Sequence, residues 1–232
     1  MADRSDPQTN RKRLEATWQS SSFDRLGAAM YDFIIERQFL ARPIARALWG
    51  TDIRRLFDLL KQVSGLPPGS RVLDIACGGG LAFRALSPEL DLNYTAVDLS
   101  PGMLKRAKQQ AERRGLDQIV FVQASVDDLP FAEGTFDLVL SLNSLHCFSD
   151  PAVALAELGR RLRPGGRLLG DSVIRGAGWR FDRTYHLLER RNVFGPGGTL
   201  QELREWLSDA GLRVERLESS GAVASFEARR LP

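Results

Sequence analysis

Apolar and polar positions divide the 232-residue chain into three stretches. Residues 1–22 are polar and rich in Ser, Arg and Gln, which predicts a loose tail. From Phe23 to about Gln62 apolar groups recur at helical spacing, with an unusual load of large side chains such as Met30, Phe33, Ile34, Phe39, Trp49, Leu56 and Leu60. The segment SGLPPGS, 64–70, is a turn that sets these helices apart, so 23–67 reads as a helical cap or lid. From Arg71 onward short apolar runs alternate with helical patterns, and 68–232 reads as one parallel α/β unit.

Within that unit the runs Val72–Ile75, Tyr94–Val97, Ile119–Gln123, Phe136–Leu142 and Arg167–Ser172 predict five strands. Two more follow at Leu212–Leu217 and Ala222–Ala228. Helices are expected to start at Leu81, at Ser100-Pro101 and at Asp150-Pro151, the last two with a capping side chain before a proline. Gly115 and Pro164-Gly165-Gly166 are their stops, and Thr199 with Glu202 has the spacing of a capping box. The fold expected is α/β, a doubly wound seven-stranded sheet with an N-terminal helical lid.

Composition narrows the class without adding chemistry. The chain is 43% hydrophobic and 26% charged, as an ordinary globular protein is, with a net charge of only +3. The arginines are scattered, and the densest group (Arg160, Arg161, Arg163, Arg167) sits at a helix end, where cations favour the helix dipole. A solvated surface is therefore expected rather than a nucleic-acid partner. There is no apolar run long enough to span a membrane and no signal-peptide pattern, and Cys77 and Cys147 lack metal-ligand spacing. Reduced thiols, a cytoplasmic location and no metal are the expectation, as monomer or homodimer.

The candidate chemistry lies in Val72–Gly80, VLDIACGGG. A buried strand runs into glycines whose backbone can approach a ligand closely, and Asp74 interrupts the strand where packing alone would put an apolar residue. Twenty residues beyond Gly78, the second strand ends in Asp98, placed to accept hydrogen bonds from ribose hydroxyls. Phe83 stands where a dinucleotide loop needs its third glycine, and no Lys-Ser or Lys-Thr follows as in a P-loop. A nucleoside ligand without a pyrophosphate remains, and S-adenosylmethionine (SAM) is the common one. Bland readings stand beside these: Asp74 satisfying backbone amides, Asp98 capping the next helix.

Four motifs in order resemble the class I SAM-dependent methyltransferases, in particular the branch of ubiquinone/menaquinone C-methyltransferases and natural-product enzymes. They are VLDIACGGG, with Ala76 in place of a family glycine; AVDLSPGML; FDLVLSLNSLHCF followed by DP; and LRPGGRLL. The opening Phe23-Asp24 and Tyr31-Asp32 is similar to that of the quinone-type enzymes. The resemblance implies SAM as cofactor and S-adenosyl-L-homocysteine as product. It puts Asp74, Ala76 and the Gly78 to Gly80 backbone around the methionine part, Asp98 on the ribose, Leu99 and Met103 beside the adenine, and Leu142 and Asn143 beside the sulfonium. Where the family has Gly-Asp, this chain has Ala124-Ser125. Ser125 and the Val126 amide are then the adenine-edge candidates, with Asp127 as a substitute or Ser125 as a plain turn residue.

Methyl transfer needs the nucleophile held about 3–3.5 Å from the methyl with water excluded, and a base only if the nucleophile must lose a proton. His146, just beyond the fourth strand, and His186, in the insertion 175–198, are the candidate bases. That insertion carries Trp179, Phe181, Tyr185 and Phe194, which could roof the site with the N-terminal helices. LNSLHC after the fourth strand lacks the Asn/Asp-Pro-Pro-Tyr/Phe signature of amino-methylating enzymes, and no acidic cluster resembles a catechol-type metal site. A small, largely apolar acceptor methylated on carbon or oxygen is expected. A SAM-binding protein without methyl transfer (a regulator, partner subunit or cyclase) and an RNA methyltransferase are the alternatives.

Overall fold

The computed structural model describes residues 7–20, 38–52 and 54–232. Seven strands, β1 (Ser70–Ile75), β2 (Leu92–Asp98), β3 (Ile119–Gln123), β4 (Phe136–Leu142), β5 (Leu162–Val173), β6 (Leu212–Ser220) and β7 (Val223–Arg230), form one sheet in the order β3-β2-β1-β4-β5-β7-β6. The first five are parallel, and β7 runs antiparallel between β5 and β6. Chain order reverses between β1 and β4, so their carboxyl ends open a crevice of the kind in which α/β sheets bind ligands.

The helices are α1 (Pro7–Trp18), α2 (Gln38–Trp49), α3 (Arg54–Ser64), α4 (Pro101–Arg114), α5 (Pro151–Arg161), α6 (Trp179–Arg190) and α7 (Leu200–Asp209). Strand pleating sends alternate residues to opposite faces, and two cores result. On one face Val72, Tyr94, Leu138 and Leu140 pack with Leu59, Leu60 and Val63 of α3 and Leu104 and Ala107 of α4. On the other Leu73, Ile75, Val139 and Phe226 meet Leu155 and Leu158 of α5 and Leu203 and Leu207 of α7.

The three cap signals act as expected. Ser100 Oγ accepts from Met103 N at 3.2 Å, Asp150 accepts from Ala152 N and Val153 N at 3.1 Å, and Thr199 with Glu202 closes a reciprocal capping box.

Several expectations change. The segment from Leu81 is a five-residue 3-10 turn, Leu81–Ala85, because Phe83 turns inward under Gly80 and stacks edge-on against Tyr94 and Phe121. Only a loop, 124–135, joins β3 to β4. Arg-Pro-Gly-Gly does not stand outside the sheet: β5 starts at Leu162, opposite Phe136, and the register shifts before Leu138 pairs with Arg167. Pro7–Trp18, expected as loose tail, is helical, with Leu14 only 3% exposed and Arg11 3.3 Å from Asp127. α3, expected within the lid, is a sheet-covering core helix. The Phe23-Asp24 and Tyr31-Asp32 opening and the apolar residues from Met30 to Ile35 lie outside the described residues.

Candidate active site

β1 leads straight into the crevice. Ala76, Gly78 and Gly80 turn the backbone back on itself at φ of 50°, 55° and 89°. Cys77 N holds the turn to Val97 O at 3.0 Å, and Gly80 N reaches Cys77 O at 3.0 Å. A Cβ on Gly78 would meet nothing within 4 Å, so the backbone there faces open space. Ala76 occupies a left-handed conformation without being glycine, which costs an L-residue about 1–2 kcal/mol. Ala76→Gly is therefore expected to stabilise the protein by a net ~0.5–1 kcal/mol after the extra chain entropy of glycine, read as a rise in the urea midpoint at constant slope.

Asp98 closes β2 and braces the turn. Its Oδ2 accepts from Gly78 N at 2.8 Å and its Oδ1 from Ser100 N at 2.8 Å. A carboxylate offers about four lone-pair sites, and these two amides each take one of them. Ser100, not Asp98, caps α4, which puts Leu99 and the buried Met103 in the first turn beyond the acid. Asp74 is 2% exposed, and its Oδ2 accepts from the hydroxyl of Tyr94 at 2.9 Å. Burial raises its pKa to about 7, against the lowering effect of that hydrogen bond. The partner is thus a buried phenol, on the neighbouring strand and twenty residues on.

On the other side of the crevice β4 ends in Leu142, and Asn143 turns left-handed at φ 50°. Asp171 of β5, opposite Leu142, holds that turn: Asn143 N donates to Asp171 Oδ1 at 2.8 Å and to its carbonyl at 3.0 Å. Burial lifts Asp171 to about 6. Sequence reasoning missed it, although it interrupts an apolar strand (Leu168-Leu169-Gly170-Asp171) much as Asp74 does. At the end of β3, Ser125 Oγ accepts from Asp127 N at 3.4 Å, a turn contact, and Val126 is buried in the second core. The substitute acid Asp127 faces Arg11 of α1, so its charge is already compensated. α1 therefore reaches the adenine-edge candidates, a contact that the polar pattern of residues 7–18 did not signal.

The two histidines are placed very differently. His146 is 3% exposed; its Nδ1 accepts from Val173 N at 3.2 Å and lies 3.3 Å from Ser172 Oγ. That backbone donor assigns the proton of the neutral ring to Nε2. Burial pushes its pKa down to about 3, and its ring packs edge-on against Phe194 with centroids 4.3 Å apart. So weak a base, with Nδ1 occupied, is suited to fixing the segment after β4 rather than to taking a proton. His186 is exposed on α6 and pairs with Glu189 at 3.1 Å. Of the insertion's aromatics, Phe194 is buried beside His146 and Tyr185 is buried against Phe194, Phe181 is half-buried, and Trp179 is 78% exposed.

The sequence profile of a family described as a methyltransferase domain matches residues 73–170, from β1 into β5. Residues 73–170 carry a methyltransferase domain. It is 34% identical over 172 residues to 27-O-demethylrifamycin SV methyltransferase of Amycolatopsis mediterranei, covering 71% of this chain and 61% of that protein. To the ubiquinone biosynthesis O-methyltransferase of Xanthomonas axonopodis pv. citri it is 32% identical over 158 residues, 64% of this chain and 65% of that one. The chain thus spans less than two thirds of the length of these curated relatives. In fold it is similar to a SAM-dependent methyltransferase from Aquifex aeolicus, with TM-score 0.59, 22% identity and coverage of 85% and 98%. The match stops one residue before Asp171, so the matched segment contains the glycine turn, Asp98 and the tip of β4. No helix among the described residues is long and apolar enough to cross a membrane.

Proposed function

We propose that the protein transfers a methyl group from SAM to an oxygen of a small, largely apolar acceptor whose hydroxyl is itself acidic, as in a phenol or enol. The observation that carries the cofactor reading is the junction of Gly78 and Asp98. An open glycine backbone and a braced carboxylate sit side by side at the sheet's reversal point, a fit for a nucleoside without pyrophosphate. Asp98 would hold the ribose, with Leu99, Met103, Ser125 and Val126 toward the base. Asp74, Ala76 and the Gly78–Gly80 backbone would hold the methionine part, and Leu142 and Asn143 the sulfonium end. When bound, SAM supplies a methyl group already activated on a sulfonium.

The chain's own task is then to bind, orient and exclude water. Asp171 fixes the β4 tip through Asn143, and His146 with Phe194 and Tyr185 makes an apolar wall behind it. His146 is a poor base and His186 faces solvent, so an acceptor that ionises by itself suits this wall better than an aliphatic alcohol. The names of the two relatives, both O-methyltransferases, support oxygen over carbon.

The test is incubation with methyl-labelled SAM and a panel of apolar phenols, quinols and aliphatic alcohols, read by mass spectrometry. Labelled methyl ethers and S-adenosyl-L-homocysteine are expected from the phenols and quinols, and neither from the alcohols. SAM binding without transfer across the panel and a crude metabolite extract would leave a SAM-binding regulator, partner subunit or cyclase instead.

A further inference from the structure

The outward face of α6 plays no part in the site just described. Its inward face is settled by burial: Tyr185 is fully buried and packs on Phe194 with ring centroids 5.1 Å apart, while Phe181 and Leu188 are partly buried in the same cluster. At 100° per residue, Trp179, Arg183, Leu187 and Arg190 then fall together on the opposite side. Trp179 is 78% exposed and Leu187 48%. Leu48 of α2 is 48% exposed as well, and Arg180 ties the two helices together by donating to Ala47 O at 2.9 Å.

The charge on this face is one-sided. Arg183 and Arg190 are exposed and form no ion pair with a described residue. Other surface arginines are matched by acids, as in the pairs Arg216–Glu218, Arg229–Glu215 and Arg160–Glu157, whereas Arg113, Arg114 and Arg204, also exposed without an ion pair among the described residues, have no exposed aromatic ring on their own helices. An exposed indole and leucines among unmatched guanidinium groups is the combination that settles into the headgroup region of a bilayer. A second copy of the same face would be repelled by its own arginines.

We infer that the outer face of α6 docks on an anionic lipid surface. On the methyltransferase reading above, docking brings the wall of Tyr185, Phe194 and His146 next to the membrane, where an apolar acceptor concentrates. The docking itself does not depend on that reading. It is tested on the full chain without SAM or acceptor, so failure of one is distinguishable from failure of the other.

The test is cosedimentation with vesicles of phosphatidylglycerol and phosphatidylcholine, against phosphatidylcholine alone, followed in parallel by tryptophan emission. Binding is expected only to the anionic vesicles, with a blue shift that Trp179→Phe removes. It is expected to weaken as salt rises from about 0.1 M to about 1 M and the Debye length falls from about 10 Å to about 3 Å. Arg183→Glu with Arg190→Glu is expected to weaken it by at least about 25-fold, and Trp179→Ala further, both with unchanged thermal unfolding. Absence of binding to anionic vesicles, or equal binding by the charge-reversed variant, would overturn the inference. So would a self-association removed by Trp179→Ala in protein that ignores vesicles, which would assign the face to a second copy.

Discussion

Asp98→Ala is expected to weaken SAM binding by about 100- to 10,000-fold, the largest affinity loss of any single substitution in the crevice. Two hydrogen bonds from ribose hydroxyls to a carboxylate are worth about 1.5–3 kcal/mol each, and every 1.4 kcal/mol is tenfold. The structure adds a complication. Both carboxylate oxygens already accept from backbone amides, Gly78 N and Ser100 N, so the same substitution orphans two donors at the turn. That is expected to cost about 2–4 kcal/mol of stability, since a buried unpaired amide costs about 1–3 kcal/mol and the Gly78 amide, only part-buried, falls at the low end. Affinity and stability must therefore be read separately, by calorimetric titration with SAM and by denaturant unfolding without it. Asp98→Asn keeps one carbonyl oxygen for the brace, so it should recover a good part of the stability while still binding SAM weakly. An alanine variant that loses stability but binds SAM like the parent would reduce Asp98 to a strut and remove the ribose contact from the reading.

The double use of Asp98 shows what a sequence can and cannot reveal about such a site. Its position after a short apolar strand and twenty residues beyond Gly78 was legible because strand length and turn length are set by backbone geometry. The strands were legible for the same reason, being buried apolar runs. α4, α5 and α7 were marked by Ser100, Asp150 and Thr199, whose side chains satisfy amides that have no other local partner. What failed was set by tertiary contact. α1 carries little apolar surface, and one buried leucine with one ion pair to Asp127 places it. α6 has Gly178 at its N-cap and no capping side chain, so no start signal announced it. Leu81–Ala85 winds tightly because Phe83 is drawn beneath Gly80, a contact no local propensity encodes. His146 is buried and so weakly basic in a setting that includes the ring of Phe194, some fifty residues away, and a lone histidine after a strand reads equally well as a base.

Glycines 78 and 80 should respond to the same substitution in opposite ways, and that contrast separates cofactor cradle from scaffold. Both sit left-handed, at φ 55° and 89°, so alanine costs each about 1–2 kcal/mol in backbone conformation. At Gly80 the new methyl would lie 2.4 Å from the ring of Phe83, which is fully buried between Tyr94 and Phe121. The ring cannot swing away without opening the core, and overpacking adds about 1–3 kcal/mol. Gly80→Ala is thus expected to destabilise the protein by about 2–5 kcal/mol, with SAM affinity falling only as far as the turn is disturbed. At Gly78 the methyl would meet no protein atom within 4 Å. Gly78→Ala should therefore cost only the backbone term, yet put a methyl into the space that the Asp98 brace leaves open for a ligand. Its expected signature is a stability loss confined to that backbone cost of about 1–2 kcal/mol and a SAM affinity lowered about tenfold or more, a loss of at least ~1.4 kcal/mol. That small stability loss with unchanged SAM affinity would show that the ligand does not approach the chain at Gly78. The crevice would then have to be filled from the β4 side, past Asn143, with the glycine turn serving only to carry the chain from β1 into the 3-10 turn at Leu81.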